Sequence, residues 1–305
     1  MSIPRPVAYS PAALLAQRLQ ATGEQAPIHA ETLDLETANP FSNQASAEPV
    51  SASVCLSVVS HGQAAIVSDL LDDLARLRPP SLKRVIVTCN LPETVALPVA
   101  PPFLVEVVNN AAPVGFSANH NAAFRRCNEP YFAACNPDIR IKEDPFPALL
   151  GALRAGWALS APAVVNGRGE LQDSARRLLT PLDILMRRFA RRRAEYEQPA
   201  WFAGMFLVFR SEVYRELGGF DEKFFMYCED ADICARAVLE SDGIAYCPEA
   251  AVVHEARRDS LRALRPLKWH VVSLLKFWFS RAFWAYLIYL WSGRVRPTVF
   301  RAKSP

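Results

Sequence analysis

The chain has 305 residues, 51% of them hydrophobic and 21% charged, with a net charge of +3 at neutral pH. That composition supports one large packed domain, or one domain with an appendage, and gives no case for a nucleic-acid partner. Seven cysteines are scattered without a CxxC pair, which excludes a metal finger and reads as reduced, buried thiols of a cytosolic protein.

Residues 1–50 carry six prolines among Ala, Ser, Thr and Gln and lack an apolar signal-peptide core. They read as a flexible leader with one short helix near residues 12–19. Ordered structure is expected from Ser53. Val54–Val59 is an apolar, β-branched run ending in Ser60-His61-Gly62. Ile66, Leu70, Leu71, Leu74 and Leu77 then recur at helical spacing up to Arg78-Pro79-Pro80. Strands follow at 84–88 and 104–108, a helix at 117–126 and a strand at 131–135. Strands alternating with helices predict an α/β fold with a mainly parallel sheet covered on both faces, whose ligands sit beyond the carboxyl ends of the strands.

Two acidic stretches fall where such a sheet binds ligands. Tyr131–Cys135 leads into Asn136-Pro137-Asp138. A carboxylate at the end of a buried strand needs compensation, and a hard divalent cation supplies it; the same three residues also suit a plain turn. Farther on, Phe224-Phe225-Met226-Tyr227-Cys228 runs into Glu229, Asp230 and Asp232. Carboxylates this close repel one another, so they either sit at a helix N-terminus or project into a cleft, where one acts as general base toward a hydroxyl. Val252-Val253-His254 ends another apolar strand, and His254 is either structural or a metal ligand.

Four blocks together resemble family 2 glycosyltransferases of the GT-A fold, in particular the bacterial rhamnosyltransferase-like branch that builds cell-surface polysaccharide. They are Val114–Asn121, Cys135–Asp138, Trp201–Arg210 with Gly218–Glu222, and Glu229–Arg236, and the resemblance spans roughly Ser53 to Arg281. It implies a Rossmann-like mixed sheet with helices on both faces and an inverting, metal-dependent transferase using Mg²⁺ or Mn²⁺. Asp138 and His254 would hold the metal. Asp230 would be the base, with Glu229 and Asp232 positioning acceptor or helix. Ser60, His61, Gly115, Phe116, Asn121, Asn136, Trp201 and Gly204 would line the nucleotide-sugar site. Arg236 would be a helix-anchoring ion pair or a substrate contact. The family's aspartate after the second strand is replaced by Cys89, so Asn90 or Thr88 would meet the base, and the choice between UDP and dTDP, with dTDP-rhamnose favoured, stays open.

The domain plan is a leader at 1–50, a catalytic domain at 51–260 and a helical segment at 261–305. In that last segment Leu264, Leu267, Val271, Leu274, Leu275 and Trp278 share one helical face. The aromatic run 277–291 follows, too short for a bilayer span and flanked by Arg294, Arg296 and Arg301. Together with the basic clusters at 187–193 and 257–268, this suggests peripheral contact with the inner face of the cell membrane. Packing on the catalytic domain or on a second copy, in a homodimer, competes with it. The partners expected are a nucleotide-diphosphate sugar donor and a glycan or glycolipid acceptor. A degenerate relative that binds glycan or scaffolds a synthesis complex is the alternative.

Overall fold

The computed structural model describes residues 52–178, 180, 199–255, 264–293 and 298–300. The leader and its helix, the arginines at 187–193, and Arg257, Arg258 and Arg262 lie outside the described residues. The elements run β1 (Val54–Ser60), α1 (Ala64–Leu77), β2 (Leu82–Cys89), β3 (Leu104–Asn109), α2 (Phe116–Phe124), β4 (Tyr131–Cys135), β5 (Ile139–Arg140) and α3 (Phe146–Arg154). There follow β6 (Leu159–Val165), β7 (Ala175–Arg176), β8 (Trp201–Phe202), β9 (Phe206–Arg210), α4 (Ser211–Glu216), α5 (Glu229–Glu240), β10 (Ile244–His254), α6 (Leu264–Trp278) and α7 (Arg281–Trp291).

Eight strands form one sheet in the order β3-β2-β1-β4-β9-β6-β10-β5. Side chains alternate between its faces, as the pleat demands. Val54, Leu56 and Val58 face the helices α1 and α3, where Leu70, Leu74, Phe146 and Leu150 close one core. Cys55, Ile86, Phe132 and Phe209 face the other way, onto Tyr214 of α4, Ile233 and Cys234 of α5, and Phe283 and Tyr286 of α7. All seven cysteines are free, and six are buried.

The sheet is mixed, with β9 antiparallel to both β4 and β6. The run Trp201–Arg210 is therefore not one strand. Trp201–Phe202 pairs with β7 in a separate two-stranded ribbon, the Met205 N–H donates to Ala203 O (2.7 Å) in a tight turn, and β9 then enters the main sheet. The other pairings leave β1, β2, β3, β4, β6 and β10 running one way, so their carboxyl ends share an edge. Because β9 runs against them, the Gly204–Met205 turn that opens it lies on that same edge, where the Asn136 N–H donates to Met205 O (2.9 Å).

A buried ion pair fixes the segment just after Asp138. Asp73 of α1 accepts two bonds from the Arg140 guanidinium (2.7 and 3.0 Å) and one from the Ile141 N–H (3.1 Å). Asp73→Ala leaves the half-buried Arg140 guanidinium with only Asp69, 3.7 Å away, and the Ile141 N–H without its acceptor. The expected loss is about 2 kcal/mol, seen as a drop of roughly 4–8 °C in the thermal midpoint.

Candidate active site

Asp230 stands in the first turn of α5, beside Gly204. Its Oδ2 accepts from the Gly204 N–H (2.9 Å) and its Oδ1 from the Ala231 N–H (2.8 Å). The same Gly204–Met205 turn bonds Asn136 on its other side, so the two acidic stretches flank one turn. A methyl group at Gly204 would meet only ordinary contacts, 3.5 Å to Asp230 Cβ and to Phe116 Cζ. The protein's own packing does not demand the glycine, which leaves room for a ligand to approach the backbone there.

The chain reaches Asp230 through a strained turn. Tyr227 (φ 71°) and Cys228 (φ 66°) are successive non-glycine residues in the left-handed region. The segment before them is held from both sides. Phe225 O accepts from the Phe116 N–H (2.9 Å). Ser273 Oγ of α6 donates to Met226 O (2.8 Å), and the rings of Trp269 and His270 pack on Phe225 and Tyr227. Gly115 is required by this closeness, because a Cβ there would lie 2.6 Å from Phe225 O.

Glu229 and Asp230 share one proton-binding problem. Burial, and then the charge of Asp230, hold the Glu229 carboxyl well above its usual range, and its Oε2 is buried without a partner. Burial also raises Asp230, but the N–H groups of Gly204 and Ala231, with Arg176 nearby, oppose the rise. Of the two, Glu229 is the more readily protonated, and the N–H groups at Asp230 favour its charged form. Asp230 is partly exposed, whereas Glu229 is buried.

Asp138 and His254 meet at the carboxyl ends of β4 and β10, with Oδ2 and Nε2 3.1 Å apart. Gln172 sets the tautomer. Its amide donates to His254 O (2.9 Å), so its Oε1 faces Nδ1 (2.8 Å) and accepts a proton from it. With Nδ1 occupied by Gln172, Nε2 is the ring atom left for Asp138, and it meets the carboxylate either by donating a proton or, as a lone pair, by sharing a cation with it. Adjacent ligands roughly 2.1 Å from an octahedral Mg²⁺ stand about 3 Å apart. Asp138 Oδ1 is also buried, with no partner among the described residues. The pair fits a divalent cation.

Other expected site residues turn out to be internal fasteners. Asn90 spends its amide on Val114, whose N–H it accepts and whose carbonyl it donates to (both 2.9 Å), and on Asn110 and His61. No capacity is left for a base. Asn121 fills all four of its bonds with Phe220, Glu222 and Tyr214, pinning the Gly219 turn. Trp201 is buried, donates to Arg177 O (2.8 Å) and lies under the Arg176 guanidinium. Ser60 is buried and its Oγ accepts from the Gln63 N–H. Asp232 is buried and paired with Arg236 (2.8 Å), which also donates to Leu217 O and Gly219 O. That is the helix-anchoring reading of Arg236, and it removes Asp232 from acceptor contact. Thr88 and Cys89 are buried.

His61, Gly115, Phe116, Asn136 and Gly204 remain at the edge. His61 is exposed, and the Asn136 amide bonds to no other described residue. Three residues escaped notice in the sequence. Gln172 and Asp73 carry no local pattern. Glu93 stands where Cys89 lacks a carboxylate, bonding the Gly62 (3.1 Å) and Ala64 (2.8 Å) N–H groups at the start of α1. It lines a cleft of about 450 Å³ with Leu91, Pro92, Thr94, Asn109 and Asn110. His120, between Phe116 and Phe220, is fully buried against Ser57 (2.8 Å), and burial pushes its pKa down to about 3, so it is a neutral packing residue.

A mixed sheet with a carboxylate–imidazole pair and a separate acidic helix start at one edge is the GT-A architecture of glycosyltransferases. The model of the family described as "Glycosyltransferase like family 2" matches residues 52–269, and the chain belongs to that family. It is 26% identical over 183 residues to Rhamnosyltransferase WbbL of Escherichia coli (strain K12), covering 53% of this chain and 69% of the relative. It is 30% identical over 154 residues to an N-acetylglucosaminyl-diphospho-decaprenol L-rhamnosyltransferase of Mycobacterium tuberculosis, covering 44% of this chain and 50% of that one. Among solved structures, GalNAc-T7 with UDP, GalNAc and Mn²⁺ has a TM-score of 0.56 at 15% identity, over 79% of this chain and 51% of that chain. TarS of S. aureus has a TM-score of 0.50 at 13% identity, over 75% and 40%. The chain thus spans about half the length of the mycobacterial relative and of GalNAc-T7.

The protonated state of Glu229 has a thermodynamic signature. A carboxyl whose folded pKa is raised supports the fold below its unfolded value and loses that support as pH rises through the folded value. Glu229→Gln, a mimic of the neutral form, is expected to leave the melting temperature unchanged at pH 4. At pH 8 it should raise it by roughly 2–4 °C, the equivalent of ~1 kcal/mol. Calorimetry at the two pH values checks this, and an equal loss at both would mean that Glu229 is ionised and paired.

Proposed function

We propose that the chain is an inverting, metal-dependent transferase that moves a sugar from a nucleotide diphosphate to a glycan or lipid-linked acceptor in cell-surface polysaccharide synthesis, at the cytoplasmic face of the membrane. The names of the two relatives favour rhamnose as the sugar, and the family resemblance favours dTDP as its carrier. One observation carries the reading: a carboxylate–imidazole pair shaped for a cation shares the Gly204–Met205 edge with a carboxylate held by two backbone N–H groups.

Asp138 and His254 would hold Mg²⁺ or Mn²⁺, which when bound neutralises charge on the departing diphosphate. Gln172 keeps the His254 lone pair aimed at that position. The cleft walled by Leu91, Glu93 and Asn110 receives the base. Asp230 takes the proton of the acceptor hydroxyl as that oxygen bonds to the anomeric carbon and the bond to the diphosphate oxygen breaks. One displacement inverts the centre. The N–H groups of Gly204 and Ala231 hold the carboxylate without protonating it, and a neutral Glu229 avoids a second charge beside it.

A degenerate binding protein is the second reading, favoured by the buried Cys89 and the fully engaged Asn90. Titration of dTDP- and UDP-sugars with Mn²⁺ separates the two, since only the enzyme hydrolyses donor slowly without acceptor. Asp230→Asn is expected to lower turnover by roughly 10²–10⁴-fold while nucleotide-diphosphate binding stays within about twofold. Chelation by EDTA should abolish activity and Mn²⁺ restore it. Full activity in chelator would remove Asp138 and His254 from metal binding. In the wild type, rates should fall with acid above the usual carboxylate range, because burial raises the base.

A further inference from the structure

The two C-terminal helices carry an apolar surface that the domain does not cover. On α7, Phe283, Tyr286 and Leu287 face the core, and the Tyr286 hydroxyl donates to Ala200 O (2.6 Å). Beside that face, at spacings of four and three, runs the stripe of Trp284, Ile288 and Trp291, exposed by 54%, 65% and 79%. Phe279, at the corner before α7, is 85% exposed, and Leu275 on α6 is 45% exposed. Large aromatic side chains rarely stand this far into water without a partner.

Charge says what the partner is. From residue 261 to 305 the sequence contains nine lysines and arginines and no aspartate or glutamate. Lys268 and Arg281 are exposed on the helices themselves. A second copy brought onto this face would set a wholly cationic stretch against its own like. An anionic bilayer offers both complements, lipid phosphates for the cations and acyl chains for the aromatics.

Geometry says how it would sit. No single helix among the described residues is long and apolar enough to cross a membrane, and α6 and α7 meet at 65°. Eleven residues of α7 extend about 16 Å, roughly half of the ~30 Å hydrocarbon core. Its inner face is already in use by the domain. We propose that the exposed face of α6 and α7 docks flat on an anionic lipid surface, with Phe279, Trp284, Ile288 and Trp291 entering the headgroup region.

The docking helices are the ones on which the base rests. α5 packs along α7. α6 reaches the segment before Asp230 through Ser273, and Lys276 Nζ donates to Lys223 O (2.7 Å). A bilayer held by one side of these helices thus lies against the scaffold of the acceptor half of the cleft. Docking itself uses no donor-site residue, so it stands or falls apart from the transferase reading.

The test is sedimentation of the full chain with vesicles of phosphatidylcholine alone and of phosphatidylcholine with 30% phosphatidylglycerol, at low and high salt. The protein is expected to bind the anionic vesicles at least tenfold more tightly, to lose most of that binding at high salt, and to show blue-shifted tryptophan emission. The triple variant Phe279→Ser, Trp284→Ser, Trp291→Ser should bind at least tenfold more weakly, while its melting temperature and its nucleotide-diphosphate-induced shift match the wild type. If the variant misfolds, Ile288→Ser alone must still weaken binding measurably. Wild type left in the supernatant with anionic vesicles overturns the proposal, as does equal pelleting of the folded variant. A wild-type dimer by light scattering that the variant converts to monomer, without vesicle binding, assigns the face to a second copy instead.

Discussion

A negative charge at the end of a buried sheet survives only where something positive or a set of N–H dipoles takes it up. The whole active edge is arranged around that constraint, and it is met in different ways at neighbouring positions. Asp230 is met by the N–H groups of Gly204 and Ala231. Asp232 is met by Arg236. The burial of Glu229 favours its neutral form instead. Asp138 is met only in part, by His254 at Oδ2 and by no described residue at Oδ1. Two carboxylates are satisfied by protein donors, one is pushed toward neutrality and Asp138 is left with room for a cation, which is why the edge can be read as chemistry and not merely as a helix start.

The antiparallel strand β9 makes this possible. The break at Ala203–Met205 turns the chain so that one backbone turn touches both acidic stretches, otherwise remote in sequence. The asparagines serve the same end by rigidifying what surrounds it. Asn90, Asn110 and Asn119 knit the loop before α2, and Asn121 holds the Gly219 turn, where an added Cβ would lie 2.3 Å from its Oδ1.

Much of this was legible from residue order. Apolar runs of strand length located β1, β2, β3 and β4 within a residue or two; β1, β2 and β4 are covered on both faces and must be apolar on both sides, while the exposed edge strand β3 was legible from its β-branched residues. The pairing of Asp138 with His254 was available only through resemblance, since nothing local links positions 116 residues apart. Polar residues near the site were where reading failed. Asn90, Asn121, Trp201 and Ser60 have the chemistry of ligand contacts, but whether a side chain faces cleft or core depends on packing that spacing does not encode. Gln172 and Glu93 were missed for the converse reason: each acts through a partner brought near only by the fold.

The left-handed pair Tyr227–Cys228 gives the acidic helix an uncommon suspension. Each such residue costs roughly 1–2 kcal/mol relative to a relaxed backbone, and the tension is maintained by a hydroxyl and two rings reaching in from a helix some forty residues downstream. The Asp230 carboxylate is in effect cocked from behind. The same C-terminal stretch that carries this latch also sends Phe277, Phe283 and Tyr286 into the core, so the frame of the acidic helix and the packing of the domain rest on one pair of helices.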